Sequence, residues 1–234
     1  MRTRKNNAVP SPAPALKTIG AAEIQSLGIE LKTLVQRIIA LDHRVYAIES
    51  HGHIGSTAQW TPVFAANPET WRVLATETGD IVAYWQIAAL APERFAQARA
   101  GRLHPGDLGC DDYRSLSAPG ARDLYFVSIC IDPAWRDLRT RWQLIDSFFE
   151  VVEVLAARGV TFEQIAATAH SEEGSRLCEA FGLAYLHDAP DHGACHGGVF
   201  ADVVRSLGPS LARRRPRLAA AYGVDAGERS PCGR

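Results

Sequence analysis

The 234-residue chain predicts a mixed α/β domain, a central twisted sheet flanked by helices. Three observations predict it. Short runs rich in β-branched and aromatic residues alternate with longer stretches of helical periodicity, and Gly or Pro punctuates the junctions. Hydrophobic residues make up 47% and charged residues 22%, a balance that supports a packed core rather than disorder. About 150 residues per domain allows one large domain with extensions.

The elements follow in order. Leu31, Leu34, Val35, Ile38, Ile39 and Leu41 mark a helix ending near Val45. Residues 50–61 are rich in Gly, His and Ser and read as a loop. Residues 71–76 and 81–90 read as strands joined by a turn at Thr78-Gly79-Asp80. Pro92 opens a short helix to about Ala100, and Gly101 stops it. Residues 124–131 form a strand that ends at Asp132-Pro133. Ile145, Phe148, Phe149, Val152 and Leu155 then mark one face of a long helix ending near Gly159. Residues 162–168 read as a strand. Residues 172–181 read as a helix with Ser171 as N-cap and Gly182 as stop. Residues 183–186 and 199–204 read as two final strands.

The ends differ in character. Residues 1–15, with Pro10, Pro12 and Pro14, predict a flexible leader; residues 16–205 form the domain. Residues 206–234, with Arg213, Arg214, Arg215 and Arg217 around Pro216, predict a disordered, solvated tail.

Charge and cysteine content exclude several classes. A formal net charge of −1 gives no field to draw the chain onto nucleic acid or an anionic membrane. No stretch reaches the roughly 20 apolar residues of a membrane span, and the N-terminus lacks the apolar core of a signal peptide. Cys110, Cys130, Cys178, Cys195 and Cys232 are odd in number and scattered, which points to a reducing cytoplasm.

The segment Ile129-Cys130-Ile131-Asp132-Pro133-Ala134-Trp135-Arg136 runs from a strand through a turn into the long helix. The first turn of a helix exposes unpaired N–H groups and a partial positive charge, a ready site for phosphate. Arg136, Arg139 and Arg141 add full charges there. An ordinary strand-to-helix connection with solvated arginines is the plainer alternative.

Pro133, Trp135 and Arg136, the hairpin over residues 71–90 and Phe181-Gly182-Leu183 together resemble the GNAT superfamily of N-acetyltransferases, over most of residues 15–204. The resemblance implies an acyl-CoA-dependent N-acyltransferase, with acetyl-CoA as co-substrate and an amine on a small molecule or protein as acceptor. It implies that the strand before the loop splays from its neighbour. Ile129 and Ile131 would then pair through their backbone with the pantetheine arm. Arg136, Asp137, Leu138, Arg139, Thr140 and Arg141 would hold the pyrophosphate. Glycines usual in that loop are replaced here by Asp137, Arg139 and Arg141, and Ala83 stands where the strand motif usually has Gly.

The resemblance also implies catalytic positions. Cys178 stands four residues before Gly182, where many members keep a tyrosine that protonates the departing thiolate; packing as a small hydrophobe is the alternative. Ser171 matches a frequent polar residue at that helix start; a simple N-cap is the alternative. Asp111, Asp112 and Asp123 are carboxylates before the central strand, and the sequence does not choose a base among them. The missing glycines and tyrosine keep a second reading open: a GNAT-fold binding or regulatory module without catalysis. A homodimer also stays open.

His187, Asp188, Asp191, His192, Cys195 and His196 are metal-ligand types in what reads as a loop, but their spacing fits no zinc pattern, and no metal is expected. His51 and His53 read as loop residues near an acceptor pocket. Residues 91–121 are a long insertion that either covers that pocket or decorates the surface.

Overall fold

The computed structural model describes residues 15–46, 54–191 and 193–224. Seven strands, β1 (Lys17–Ile19), β2 (Trp71–Ala75), β3 (Ile81–Leu90), β4 (Gly120–Ile131), β5 (Val160–Ala169), β6 (Ala184–Asp188) and β7 (Ala194–Val199), form one sheet in the order β1-β2-β3-β4-β5-β7-β6. Every neighbouring pair is antiparallel except β4 and β5, which run parallel. A parallel pair needs a crossover, and the helix α4 (Leu138–Ala157) supplies it.

β3 shows why the domain has two apolar layers. All ten of its residues are buried, so both faces of the strand are covered. Ala83, Trp85, Ile87 and Ala89 face one layer with Phe148, Phe149 and Val152 of α4. Tyr84, Ala88 and Leu90 face the other, against α1 (Leu31–Val45) and α2 (Thr57–Ala66). The alternation is the period of two expected of a strand. The indole of Trp85 donates to Ser147 Oγ at 2.9 Å, so its burial leaves no unpaired N–H.

Most predicted elements are present, with β4 and β5 longer than expected. Three expectations are overturned. The segment read as a loop to residue 61 contains α2, begun by a capping box: Ser56 Oγ accepts from the Gln59 backbone and the Gln59 side chain accepts from the Ser56 backbone. Pro62 inside that helix hides it from a propensity reading.

The last strand is β7, not residues 199–204. Those residues belong to α6 (Phe200–Ser206), and Phe200, Val203 and Val204 share its buried face at helical spacing. β7 contains Gly197 and Gly198, poor strand formers, but it pairs on both sides, with β5 and β6. A Cβ at Gly197 would meet Ile165 O and a Leu186 methyl at 3.1 Å, so the glycine fits a crowded position.

The basic segment after residue 206 is not a solvated tail over its described part. It forms α7 (Gly208–Arg214) and α8 (Pro216–Ala221), which bury Leu211, Leu218 and Tyr222 against the α4 layer. Tyr222 Oη accepts the Phe162 N–H at 2.9 Å. Residues 225–234, the leader to residue 14, and His51, His53 and His192 lie outside the described residues.

β7 also carries His196, 1% exposed, with neither ring nitrogen hydrogen-bonded. Burial holds its pKa below the ordinary histidine value. Folding therefore selects the neutral ring, whereas the unfolded chain binds a proton below about pH 6.5. Stability contributed at this position is intact above that pH and falls as the pH drops toward the depressed folded value. His196→Phe should raise the melting temperature by removing unpaired buried nitrogens, worth about 1–3 kcal/mol. The gain should be larger at pH 5 than at pH 8. Thermal melts at the two pH values check this, and an equal or negative change at pH 5 refutes it.

Candidate functional site

The site begins where β4 and β5 part. Their parallel pairing runs only to Phe126↔Ala167. Beyond it, β4 stays with β3, through Ser128↔Gln86 to Ile131↔Ala83, while β5 stays with β7, through Thr168↔Cys195 and Ala169↔Ala194. The β3–β4 register jumps from Ile87↔Phe126 to Gln86↔Ser128, so Val127 is an extra residue on β4. A bulge bends and twists its strand, and this one sits at the point of divergence. A cavity of about 490 Å³ opens into the split, with Ser128, Ile129 and Ile131 on one side and Thr168, Ala169 and Ser171 on the other.

Backbone direction follows from one bond. Asp132 N–H donates to Val82 O on β3 at 2.8 Å. Successive residues of a strand alternate the side to which their N–H and C=O point, so Ile129 and Ile131 turn theirs toward the split. Two side chains already reach those carbonyls: Tyr46 Oη donates to Ile129 O at 3.3 Å and Arg136 Nε to Ile131 O at 3.2 Å.

The strand-to-helix turn sorts the residues singled out from sequence. Arg136 and Arg141 line the cavity; Arg139 and Leu138 do not, and Leu138 is 70% exposed. Thr140 is buried, with its hydroxyl turned to Asp137. Asp137 caps α4, accepting from Thr140 N at 2.8 Å, and these N–H bonds hold its carboxyl below the usual range. A carboxylate thus occupies the helix start at which phosphate would sit.

On the opposite wall, Ser171 Oγ accepts from Gly174 N at 3.0 Å and caps α5 (Glu172–Ala180) while lining the cavity. Cys178 lines the cavity from the same helix but is 9% exposed and packed in the core. Burial pushes its thiol up to about 12. A proton donor that weak is poorly matched to an ordinary thiolate, whose own pKa is about 8.5.

The carboxylates considered from sequence lie elsewhere. Asp112 is paired with Arg94 at 2.7 Å, and none of Asp111, Asp112 and Asp123 lines the cavity. Glu173 on α5, Asp191 and Asp42 on α1 do line it, and of these Asp42 is buried, 5% exposed. Tyr84 Oη lies 2.6 and 2.7 Å from its two oxygens and 2.8 Å from Ser128 Oγ, which lies 3.2 Å from Tyr46 Oη. Burial raises the Asp42 pKa to about 7, and the bonds from Tyr84 and Cys130 only partly offset that. The Tyr84 phenol is pushed well above its ordinary value, first by burial and then by Asp42, so it stays a donor.

The insertion is part of the wall. It contains α3 (Pro92–Arg99), buries Leu103 and Leu108, and is tied to α2 by Gln59 Nε2, which donates to Pro105 O and Leu108 O. Leu103, His104 and Pro105 line the cavity. The histidine-rich cluster is not one loop. His187 hydrogen-bonds Arg99 O, Asp191 faces His104 at 3.5 Å, and Cys195 and His196 lie within β7. Among the described residues no group of three or more His, Cys, Asp or Glu side chains is placed to hold a metal. Among them, too, no helix is long and apolar enough to cross a membrane.

No protein-family model and no curated protein matches the sequence. Solved structures show a distant similarity. The GNAT-like decarboxylase GphF in complex with isobutyryl-CoA has 14% identity over 80% of this chain and 99% of its own, with a TM-score of 0.49. Arabidopsis thaliana Naa50 in complex with a bisubstrate analogue has 10% identity over 78% and 97%, with a TM-score of 0.48. Ard1 from Thermoplasma volcanium has 9% identity over 79% and 97%, also at 0.48. The seven-stranded mixed sheet flanked by helices is the α/β class that the sequence predicts. The strand order and the parting of β4 from β5 at a bulge agree with the splayed strand that the sequence resemblance implies.

Asp42, Tyr84, Ser128 and Tyr46 went unremarked in the sequence. A signal existed for one of them. Asp42 stands four residues after Ile38 and seven after Val35, in the apolar stripe of α1. A charge on a buried face is uncommon without a partner or a task.

Proposed function

We propose that this protein is an acyl-CoA-dependent N-acyltransferase that moves an acetyl group from acetyl-CoA to an amine. The observation that carries the proposal is the split between β4 and β5, with β4 backbone released from β5 and two arginines opening onto one cavity. The residues present suit the donor. Ile129 and Ile131 offer backbone groups to an amide-bearing arm, and Arg136 and Arg141 offer guanidinium groups to phosphate. Bound there, the donor would supply an activated thioester. The chain's own part is to orient it along β4, shield it from water beneath the insertion, and manage the protons of the acceptor.

One observation favours the second reading, a CoA-binding module without catalysis. The Asp137 cap places negative charge at the start of α4, where it repels a pyrophosphate.

Acetyl-CoA should raise the melting temperature, because a ligand that binds only the folded state stabilises it by mass action, about 2.7 kcal/mol at a hundred times Kd. Arg136→Ala and Arg141→Ala should each weaken acetyl-CoA binding roughly tenfold, as expected for loss of a charge-assisted hydrogen bond. Neither should much change binding of pantetheine, which lacks phosphate. Calorimetric titration checks both. No binding at millimolar acetyl-CoA refutes the proposal. Binding without CoA release on any of a panel of amines supports the second reading.

A further inference from the structure

α1 and α2 wall one side of the cavity with apolar residues, among them Val35, Ile38, Trp60 and Phe64. Asp42 is the one charged residue that these two helices contribute to that lining. Among the described residues no lysine or arginine forms an ion pair with it. Both carboxylate oxygens receive the single hydroxyl of Tyr84, at 2.6 and 2.7 Å. Arg44, two residues further along α1, is turned to Asp132 instead, at 3.2 Å. A buried carboxylate without a cationic partner is costly to keep charged. A cationic ligand arriving in the cavity would remove that cost.

We propose that Asp42 is the acceptor-binding group and proton acceptor of this cavity, receiving the ammonium head of an apolar primary amine whose body packs against α1 and α2. This rests on the acyl-transfer reading given above, and names its acceptor class. The apolar walls admit an aliphatic or aromatic body. A polyamine would bury further charges with no partner on those walls.

Tyr84 gives its hydroxyl to Asp42, and its oxygen lies 2.8 Å from Ser128 Oγ, which holds the phenol in place. An ammonium N–H that reaches Asp42 passes its proton to the carboxylate: one N–H bond breaks, its electron pair stays on nitrogen, and one O–H bond forms on Asp42. The amine is left neutral and nucleophilic. Tyr84 and Ser128 are positioning residues in this scheme.

Burial and the bonds from Tyr84 on β3 and Cys130 on β4 set the titration of Asp42, and the Tyr46 and Ser128 hydroxyls lie next to that pair.

The test uses the full chain and 2-phenylethylamine as probe, with spermidine as the polycationic contrast. Calorimetry at about pH 8, where Asp42 is ionised, should show wild type binding 2-phenylethylamine and not spermidine. Asp42→Asn should bind it at least tenfold more weakly, the loss expected when a charge-assisted contact is removed. Circular dichroism melts establish that the variant is folded. Tyr84→Phe keeps the carboxylate and removes the hydroxyl that positions it. It should retain amine affinity within about threefold and lose about tenfold in kcat for acetylation, because the carboxylate that takes the proton is no longer held in place.

The wild-type kcat/KM profile should fall below about pH 7, a limb absent from Asp42→Asn. Failure of wild type to bind the amine, or equal binding by Asp42→Asn, overturns the proposal. Amine binding without acetyl-CoA binding leaves the Asp42 site standing and removes the acyl-transfer reading, so the two failures are distinct.

Discussion

Asp42→Asn is expected to make the protein more stable, by up to roughly 4 kcal/mol above pH 7. The folded carboxyl has its pKa raised from 3.8 to about 7, chiefly by burial. The unfolded chain releases its proton near 3.8 and the folded chain only near 7. Stability associated with Asp42 is therefore complete below about pH 4, is lost as the pH rises through 7, and stays lost above. Asparagine carries no charge and can still accept the Tyr84 hydroxyl. The difference between variant and wild type should be near zero at pH 4, grow through pH 6, and level off at pH 8. Urea titrations at those three values measure it. A variant less stable than wild type at pH 8 would mean that the carboxylate is well compensated and not held ready for a ligand. A residue that costs stability yet sits in a cavity is the pattern expected of a functional group.

Arg215→Ala should destabilise the protein by roughly 1–3 kcal/mol, less than a fully buried ion pair broken on one side, because the Asp146 side chain is 39% exposed and water screens it. Arg215 is 9% exposed and bonds Asp146 at 2.8 Å and Glu153 at 3.3 Å, both on α4. Removing it leaves Glu153, with its partly buried carboxylate, facing only the Leu218 N–H at 3.3 Å. A chain ended after Ser206 should fare worse, since Leu211, Leu218 and Tyr222 vanish with it and Phe162 and Phe200 lose their cover. Burial of each large apolar side chain contributes about 1.5–3 kcal/mol. Denaturant unfolding of Arg215→Ala and solubility of the shortened chain check the two. A shortened chain as stable as the parent would restore the solvated-tail expectation.

The arginines of that segment show why composition misled. Arg213, Arg214, Arg215 and Arg217 read alike in one dimension. Only α4, more than fifty residues earlier, decides that Arg215 turns inward to two carboxylates while Arg214 lies over the exposed Trp142 ring. β7 makes the same point. Its glycines argue against a strand, yet a strand with hydrogen-bonding partners on both edges forms despite weak local preference.

What the sequence determined by itself was local: the face of α1, the fully apolar β3, the strand–turn–helix at residues 129–141, the Ser171 cap and the α/β class. Periodicity, caps and turns act within a few residues, so a single chain displays them. The candidate site was legible only on its donor side, where Ile129, Ile131 and Arg136 are close in sequence. Its acceptor side joins Asp42, Tyr84 and Ser128 across gaps of 42 and 44 residues. Those distances are closed by the β3–β4 pairing and by the docking of α1 on the sheet. The bulge at Val127 that opens the cavity is equally tertiary, since a register shift is a property of two strands and not of either one.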